Sequence, residues 1–274
     1  MKRESFGDNS HVWLPDLADL AVEAGETILR HYENVGEARL DDKADGSPLT
    51  AADLAAHETI IAGLRCIDPE IPVVSEENKQ NPPMEPGVRF WLVDPLDGTK
   101  EFLKRNGEFT VNIALVEDSI PVLSVVHAPV LGTTYLGQRG VGAWLIKEGA
   151  VQPISVAPPH EGELRVVASR SHSDEKTTAL LQKLPPRCVV SSGSSLKFCM
   201  VAEGSADFYP RLGPTMEWDT AAAQCVLESA GGRVVQCDGQ PLRYNKSGWR
   251  NPFFYAIGAW LPVYDELVSA RLDA

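Results

Sequence analysis

Apolar residues at Leu14, Leu17, Ala21, Ala24 and Ile28 recur every three or four positions, which predicts an amphipathic helix over residues 11–32 with Ser10 or Asp8 as its cap. Asp45-Gly46-Ser47-Pro48 interrupts the pattern. Leu54, Ile60, Ile61 and Leu64 then resume it, so a second helix is expected over 50–67 with Asp53 in its first turn. The period shortens after this point. Residues 71–74 and 88–93 read as short strands separated by a proline-rich loop at 81–86. Residues 109–116, 121–127, 133–137 and 143–147 are β-rich runs divided by tight turns, as in an antiparallel meander.

A stretch containing Pro158 and Pro159, at 156–162, separates this region from one of different rhythm. Short apolar runs at 165–168, 188–191, 206–209 and 233–236 alternate with helical patterns at 173–184, 194–203 and 218–230, the signature of an α/β unit. The expected architecture is therefore α+β in two lobes. An N-terminal α+β lobe covers 1–155, and a C-terminal α/β lobe covers 156–274.

Charge narrows the partners. Lys and Arg total 25 against 38 Asp and Glu, giving a net charge of −13, which argues against nucleic acid or an anionic membrane as the main partner. An acidic protein that handles an anion needs a cation between them. The five cysteines are odd in number, widely spaced and without a Cys-x-x-Cys pair, as expected of reduced cytosolic thiols. Cys199 and Cys225 sit among apolar neighbours and are expected to be packed. No apolar run approaches a membrane span and no apolar stretch follows the basic residues near Met1, so a soluble, cytoplasmic protein is expected.

The chemistry concentrates in Trp91-Leu-Val-Asp94-Pro95-Leu96-Asp97-Gly98-Thr99, an apolar run ending in two aspartates that bracket a proline and lead into Gly-Thr. Pro95 fixes the backbone and Gly98 lets the main chain approach a ligand closely. Two carboxylates in one small space repel unless a hard cation lies between them, and oxygen ligands of this kind suit Mg²⁺. Glu76 follows the preceding strand, with Glu77 beside it as a lesser candidate. Taken singly these residues have ordinary readings too: Asp94 and Asp97 as turn formers, Asp53 and Asp219 as acids favoured at helix N-termini.

Taken together, Ser47-Pro-Leu-Thr50-Ala-Ala-Asp53, Val74-Ser-Glu76-Glu77, the segment from Trp91 to Phe102, and Glu217-Trp218-Asp219-Thr-Ala-Ala222 resemble the inositol monophosphatase superfamily of Mg²⁺-dependent, lithium-sensitive phosphatases. The continuation Lys104-Arg-Asn-Gly-Glu-Phe-Thr-Val-Asn-Ile113 is similar to its bacterial 3′(2′),5′-bisphosphate nucleotidase (CysQ-type) branch. The resemblance implies the layered α/β/α/β/α sugar-phosphatase fold, with two to three Mg²⁺ held by Glu76, Asp94, the Leu96 carbonyl, Asp97 and Asp219. It also implies that Asp53 and Thr99 form a hydrogen-bonded pair which, with Glu76, activates an attacking water, and that the amides of Gly98 and Thr99 hold phosphate. Ser194, Ser195, Lys197 and Arg211 would contact a nucleotide and its second phosphate, and His172 would lie near the base. The implied partner is a phosphorylated small molecule, with a homodimer allowed. The rivals are an inositol or sugar phosphatase and a catalytically silent metal and nucleotide binder.

Overall fold

The computed structural model describes residues 3–33, 48–159, 163–169, 175–184 and 187–269. Two helices, α1 (Leu14–Tyr32) and α2 (Pro48–Ile67), precede a sheet whose seven strands follow one another in chain order. These are β1 (Val73–Ser75), β2 (Phe90–Asp97), β3 (Thr110–Glu117), β4 (Ile120–Ala128), β5 (Thr133–Gln138), β6 (Gly142–Lys147) and β7 (Ala150–Ile154), with a short helix α3 (Thr99–Leu103) between β2 and β3. From β2 onward every neighbour is antiparallel, with short turns joining β3 to β7 in succession and α3 lying in the connection from β2 to β3; β1 alone pairs in parallel, through the long loop to β2.

The second sheet runs β11-β12-β10-β8-β9, built from β8 (Leu164–Ser169), β9 (Arg187–Ser192), β10 (Phe208–Arg211), β11 (Arg233–Gln236) and β12 (Phe254–Ile257). Its helices are α4 (Glu175–Lys183), α5 (Leu196–Ala202), α6 (Ala221–Ser229) and α7 (Pro262–Ser269). Helices α1 and α2 cover the outer face of the first sheet, burying Leu14, Leu17, Ala21, Ala24 and Ile28 against Val93, Val111 and Val125. Helices α4 and α7 cover the outer face of the second sheet through Leu180, Tyr264 and Leu267. Between the sheets lie α5 and α6, in one core that draws Leu92, Ala114 and Val126 from the first sheet and Tyr209, Val234 and Ala256 from the second. The order of layers is α/β/α/β/α, as the motif resemblance implies.

Boundaries differ from the sequence pattern in ways that matter for chemistry. Helix α1 starts at Leu14 with Trp13 at the cap position and no side-chain cap bond, so neither Ser10 nor Asp8 caps it. Asp53 lies in the second turn of α2, not the first. Strand β2 continues through Asp94, Pro95, Leu96 and Asp97 instead of stopping at Val93. Its register slips there: Asp94 faces Asn112 and Asp97 faces Thr110, so two residues of β2 stand opposite one of β3. In a regular strand, side chains three apart point to opposite faces. The extra residue of the bulge cancels that alternation and brings both carboxylates to the same side, and it is a place where a strand tolerates proline.

Candidate active site

Parallel pairing of β1 with β2 puts Ser75 beside Val93, and the Glu76 amide donates to the Val93 carbonyl at 3.2 Å. Glu76 therefore emerges next to Asp94. The turn that carries it is fixed by Asn81 Nδ2 donating to the Ser75 carbonyl at 2.6 Å and by His57 Nδ1 against Ser75 Oγ at 2.9 Å. Asp219 arrives from the opposite side, in the segment just before α6. Its Oδ2 accepts the Met216 amide at 2.8 Å, which sets the side chain before any ligand binds. Carboxylate oxygens of Glu76, Asp94 and Asp219 all lie within 4.8 Å of one another.

The electrostatics of this cluster follow from burial. Desolvation, followed by the carboxylates of Glu76, Asp97, Asp219 and Asp53, pushes the Asp94 carboxyl well above the usual range. Asp219 is pushed up to about 8, mainly by burial and then by Asp97. Asp97 is raised by burial too, but less freely. Its Oδ2 accepts the Ser195 amide and the Ser195 hydroxyl, each at 2.7 Å, and Asn112 Nδ2 at 3.4 Å, while the Lys197 ammonium favours the charged form.

Lys197 and Arg211 line the same cavity of about 280 Å³ as Glu76, Asp94, Asp97 and Asp219. Lys197 is buried, with its ammonium held by the Ser194 carbonyl and lying 5.3 Å from the centre of the Tyr209 ring. Burial lowers its proton affinity to about 8, with Asp97 opposing the shift and Arg211 adding to it. Arg211 Nη2 donates to the Pro214 carbonyl at 2.9 Å, and its Nε is buried without a partner. Phe198, Tyr209, Pro214 and Met216 give the same cavity an apolar side that the sequence reading did not single out.

A match to the model of the inositol monophosphatase family runs over residues 12–254. The chain belongs to the inositol monophosphatase family. Among its relatives, the 3′(2′),5′-bisphosphate nucleotidase CysQ of Salmonella typhimurium (strain LT2) is 48% identical over 249 residues, spanning 88% of this chain and 98% of that protein. The protein of the same name from Escherichia coli (strain K12) is 47% identical over the same extent. The crystal structure of CysQ from Bacteroides thetaiotaomicron, a bacterial member of this family, superposes with a TM-score of 0.80 at 40% identity, covering 90% of this chain and 97% of that one. An inositol monophosphatase from Anabaena has the same fold at 25% identity and a TM-score of 0.72.

With the family in hand, the residues expected from the motifs can be placed one by one. Leu96 is buried but reaches the lining of the cavity, and its amide donates to Asp94 Oδ1 at 3.1 Å. Gly98 takes φ 98°, a left-handed conformation that glycine adopts without strain, and stands at the start of α3, whose first residue is Thr99. Ser194 lines the cavity with φ 42°, and its buried hydroxyl has no partner among the described residues. Ser195 is placed differently from the expectation. Its hydroxyl lies under the cavity, committed to Asp97 and to the Asp219 carbonyl, and does not face the space where a nucleotide would lie. His172 lies outside the described residues.

The expected Asp53–Thr99 hydrogen bond is also not formed: among the described residues, the Asp53 carboxyl bonds to the Glu77 side chain, and its Oδ1 has no partner. Burial, then Glu77 and Glu76, raise the Asp53 carboxyl to about 9, so a protonated Asp53 finds a carboxylate a better acceptor than a threonine hydroxyl. Glu77, ranked behind Glu76 on sequence, thus joins the acidic cluster through Asp53.

The donor set fits a hard divalent cation. The carboxylates come from separate elements, with Asp94 buried, Asp219 half-buried and Glu76 exposed. Burial together with the neighbouring charges pushes Asp94 and Asp219 toward protonation, the situation that an oxygen-ligated cation relieves.

Proposed function

We propose that the chain is a cytoplasmic, Mg²⁺-dependent 3′(2′),5′-bisphosphate nucleotidase that removes the 3′-phosphate of adenosine 3′,5′-bisphosphate, releasing AMP and phosphate, with the sulfated nucleotide PAPS as a second substrate. The observation that carries the substrate is that Lys197 and Arg211 line one cavity together with the carboxylate cluster. A phosphate held by metal would leave these two cations for a second phosphate. The unpartnered Ser194 hydroxyl and the apolar wall formed by Tyr209, Phe198 and Met216 suit a ribose and a base.

In this reading Glu76, Asp94, the Leu96 carbonyl, Asp97 and Asp219 would hold two to three Mg²⁺. When bound, Mg²⁺ neutralises phosphoryl oxygens and makes water acidic enough to attack at neutral pH. The rest falls to the chain. Asp53, ionised once cations occupy the cluster, would with Glu76 take a proton from the attacking water, and the Thr99 hydroxyl would orient that water. The amides of Gly98 and Thr99 receive the phosphate as α3 begins, and the N-terminal lobe (1–155) thus supplies most of the reaction. The C-terminal lobe (156–274) supplies Asp219 and the choice of substrate, through Ser194, Lys197 and Arg211.

Steady-state assays test the assignment: adenosine 3′,5′-bisphosphate is expected to have the highest kcat/KM among itself, inositol 1-phosphate and fructose 1,6-bisphosphate, with inhibition by Li⁺ and Ca²⁺. A higher kcat/KM for inositol 1-phosphate overturns it, and no phosphate release with saturating Mg²⁺ leaves only a binder. Lys197→Ala is expected to raise KM for bisphosphates by about tenfold to a hundredfold, the worth of a charged hydrogen bond, with little change in kcat. Equal loss on a monophosphate would remove Lys197 from the second-phosphate site.

Metal-free stability is expected to depend on pH in a definite sense. Asp53 and Asp219 bind protons more tightly when folded, to about 9 and about 8, than in an unfolded chain, where carboxyls titrate near 4. Their contribution is therefore complete below roughly pH 4 and is lost as pH rises through those folded values. Thermal melts in EDTA should show Tm falling from pH 6 to pH 9. Saturating Mg²⁺, which needs the carboxylates ionised, should restore Tm by an amount that grows with pH. A metal-induced shift that shrinks as pH rises would contradict this.

A further inference from the structure

One oxygen of Asp97 gathers three donors, and two of them come from Ser195, in the loop that leads into α5. The Ser195 amide and hydroxyl each lie 2.7 Å from Asp97 Oδ2, and Asn112 Nδ2 lies at 3.4 Å. Asn112, opposite Asp94 on β3, also donates to Ser195 Oγ at 2.7 Å. The same Ser195 oxygen is 3.0 Å from the main-chain carbonyl of Asp219. A single hydroxyl thus touches the ligand that ends β2 and the ligand that precedes α6.

Two details show that this joint is held under constraint. Asn112 is buried and its Oδ1 has no partner among the described residues, a cost that folding accepts while the amide nitrogen stays on Ser195 and Asp97. Turning the amide over would aim its carbonyl oxygen at the Asp97 carboxylate. The loop is fastened at its other end as well, since the Gly193 amide donates to Glu108 Oε2 at 2.8 Å. A side chain at position 193 would have its Cβ 2.6 Å from Glu101 Cγ and 2.7 Å from the Glu108 carbonyl. Between these two fastenings lies Ser194, whose carbonyl holds the Lys197 ammonium.

We propose that Asn112 and Ser195 are positioning residues that tie the Ser194–Lys197 loop to Asp97 and Asp219, so that metal binding and nucleotide binding tighten each other. The proposal rests on the nucleotidase reading of the site. A loop displaced from its nucleotide-binding position carries two donors away from Asp97, and a displaced Asp97 releases the loop. Such coupling is reciprocal, so Mg²⁺ must improve nucleotide affinity by the same factor that nucleotide improves Mg²⁺ affinity.

Titration calorimetry on the full chain tests this, with Mg²⁺ alone, AMP alone, and each in the presence of the other. Wild type, Ser195→Ala, Ser195→Thr and Asn112→Ala are compared. Ser195→Ala and Asn112→Ala are expected to weaken Mg²⁺ binding by about tenfold to a hundredfold, the usual effect of losing a partner of a metal ligand. They should also bring the mutual enhancement factor down toward one. Ser195→Thr, which keeps the hydroxyl, should restore both. Near-UV circular dichroism checks packing, and Asn112→Ala carries the test by itself if Ser195→Ala does not fold. Unchanged Mg²⁺ affinity in both alanine variants overturns the proposal, as does weaker Mg²⁺ binding with an unchanged enhancement factor. If wild type fails to bind Mg²⁺ or to release phosphate from adenosine 3′,5′-bisphosphate, the nucleotidase reading itself falls; wild-type success with unaltered variants sinks the coupling alone.

Discussion

Asp97→Asn should lower kcat/KM for adenosine 3′,5′-bisphosphate by about a thousandfold, the scale at which active sites lose a main electrostatic element. The substitution changes almost no volume, so the fold should survive. What it removes is the charge on the carboxylate that takes three hydrogen bonds while facing a cavity shared with Asp94 and Asp219. An asparagine there must also turn its carbonyl oxygen toward Ser195, because its amide nitrogen would meet the donating Ser195 amide head-on. Two measurements separate charge from folding: phosphate release over a Mg²⁺ titration, and the melting curve in EDTA. The expected pattern is lost turnover that excess Mg²⁺ does not recover, with Tm in EDTA close to wild type or higher, since one buried carboxylate is gone. Activity within tenfold of wild type would take Asp97 out of the metal site.

Glu217→Ala should cost about 2–3 kcal/mol of stability, the penalty of leaving buried amide donors unmet, while the Lys246 ammonium, 30% exposed, turns to water. Glu217 is fully buried two residues before Asp219, and its carboxylate accepts the Asn245 amide at 2.6 Å, the Lys246 amide at 2.9 Å and the Lys246 ammonium at 2.6 Å. Asn245 sits at φ 71° and Trp249 at φ 57°, so the loop they occupy is held in a conformation that non-glycine residues rarely take. Alanine would leave those donors facing a void. Urea unfolding monitored by tryptophan fluorescence reads the loss directly. A change below about 1 kcal/mol would mean that solvent reaches the vacated space and satisfies the donors.

Glu217 also marks where reading the sequence stopped short. The Glu-Trp-Asp motif pointed to Asp219 as a ligand, and the Trp218 beside it lies in the core. Nothing local announces that Glu217 anchors a loop nearly thirty residues later, because its partners, Asn245 and Lys246, are brought to it only by tertiary folding. Ser195 has the same lesson in reverse. Its motif suggested nucleotide contact, but folding places its hydroxyl beneath the cavity, on the carboxylates. Spacing within a motif reports which residues travel together, and it cannot say which of two adjacent serines faces inward.

The elements follow a similar division. The stripe of α1 was legible because one face of it meets a core, so periodicity survives in the residues themselves. Strands β3 to β6, buried for most of their length on both faces, were legible as apolar runs divided by turn residues. Strand β7 carries no such record: it is an edge strand whose residues are exposed or half-buried, and it includes Pro153. Strand β12 is a buried run of Phe254, Tyr255, Ala256 and Ile257, too short for its period to mark it. The acidic motif looked like a turn after a strand because Asp, Pro and Gly are turn residues. Only the register against β3 reveals a bulge that keeps Asp94 and Asp97 inside the sheet.

Strand β5 bears on how this site can drift in sequence. A Cβ at Gly137 would lie 2.7 Å from the Val226 Cα and nitrogen and 2.8 Å from the Cys225 carbonyl carbon, all main-chain atoms of α6. Because the obstacle is backbone, no smaller side chain on α6 could make room for a larger residue at 137; the helix itself would have to shift, and Asp219 lies at its head. Position 137 is thus closed to compensation from its contact partners, and lineages of this enzyme can explore the walls of the cavity far more freely than the floor on which Asp219 is mounted.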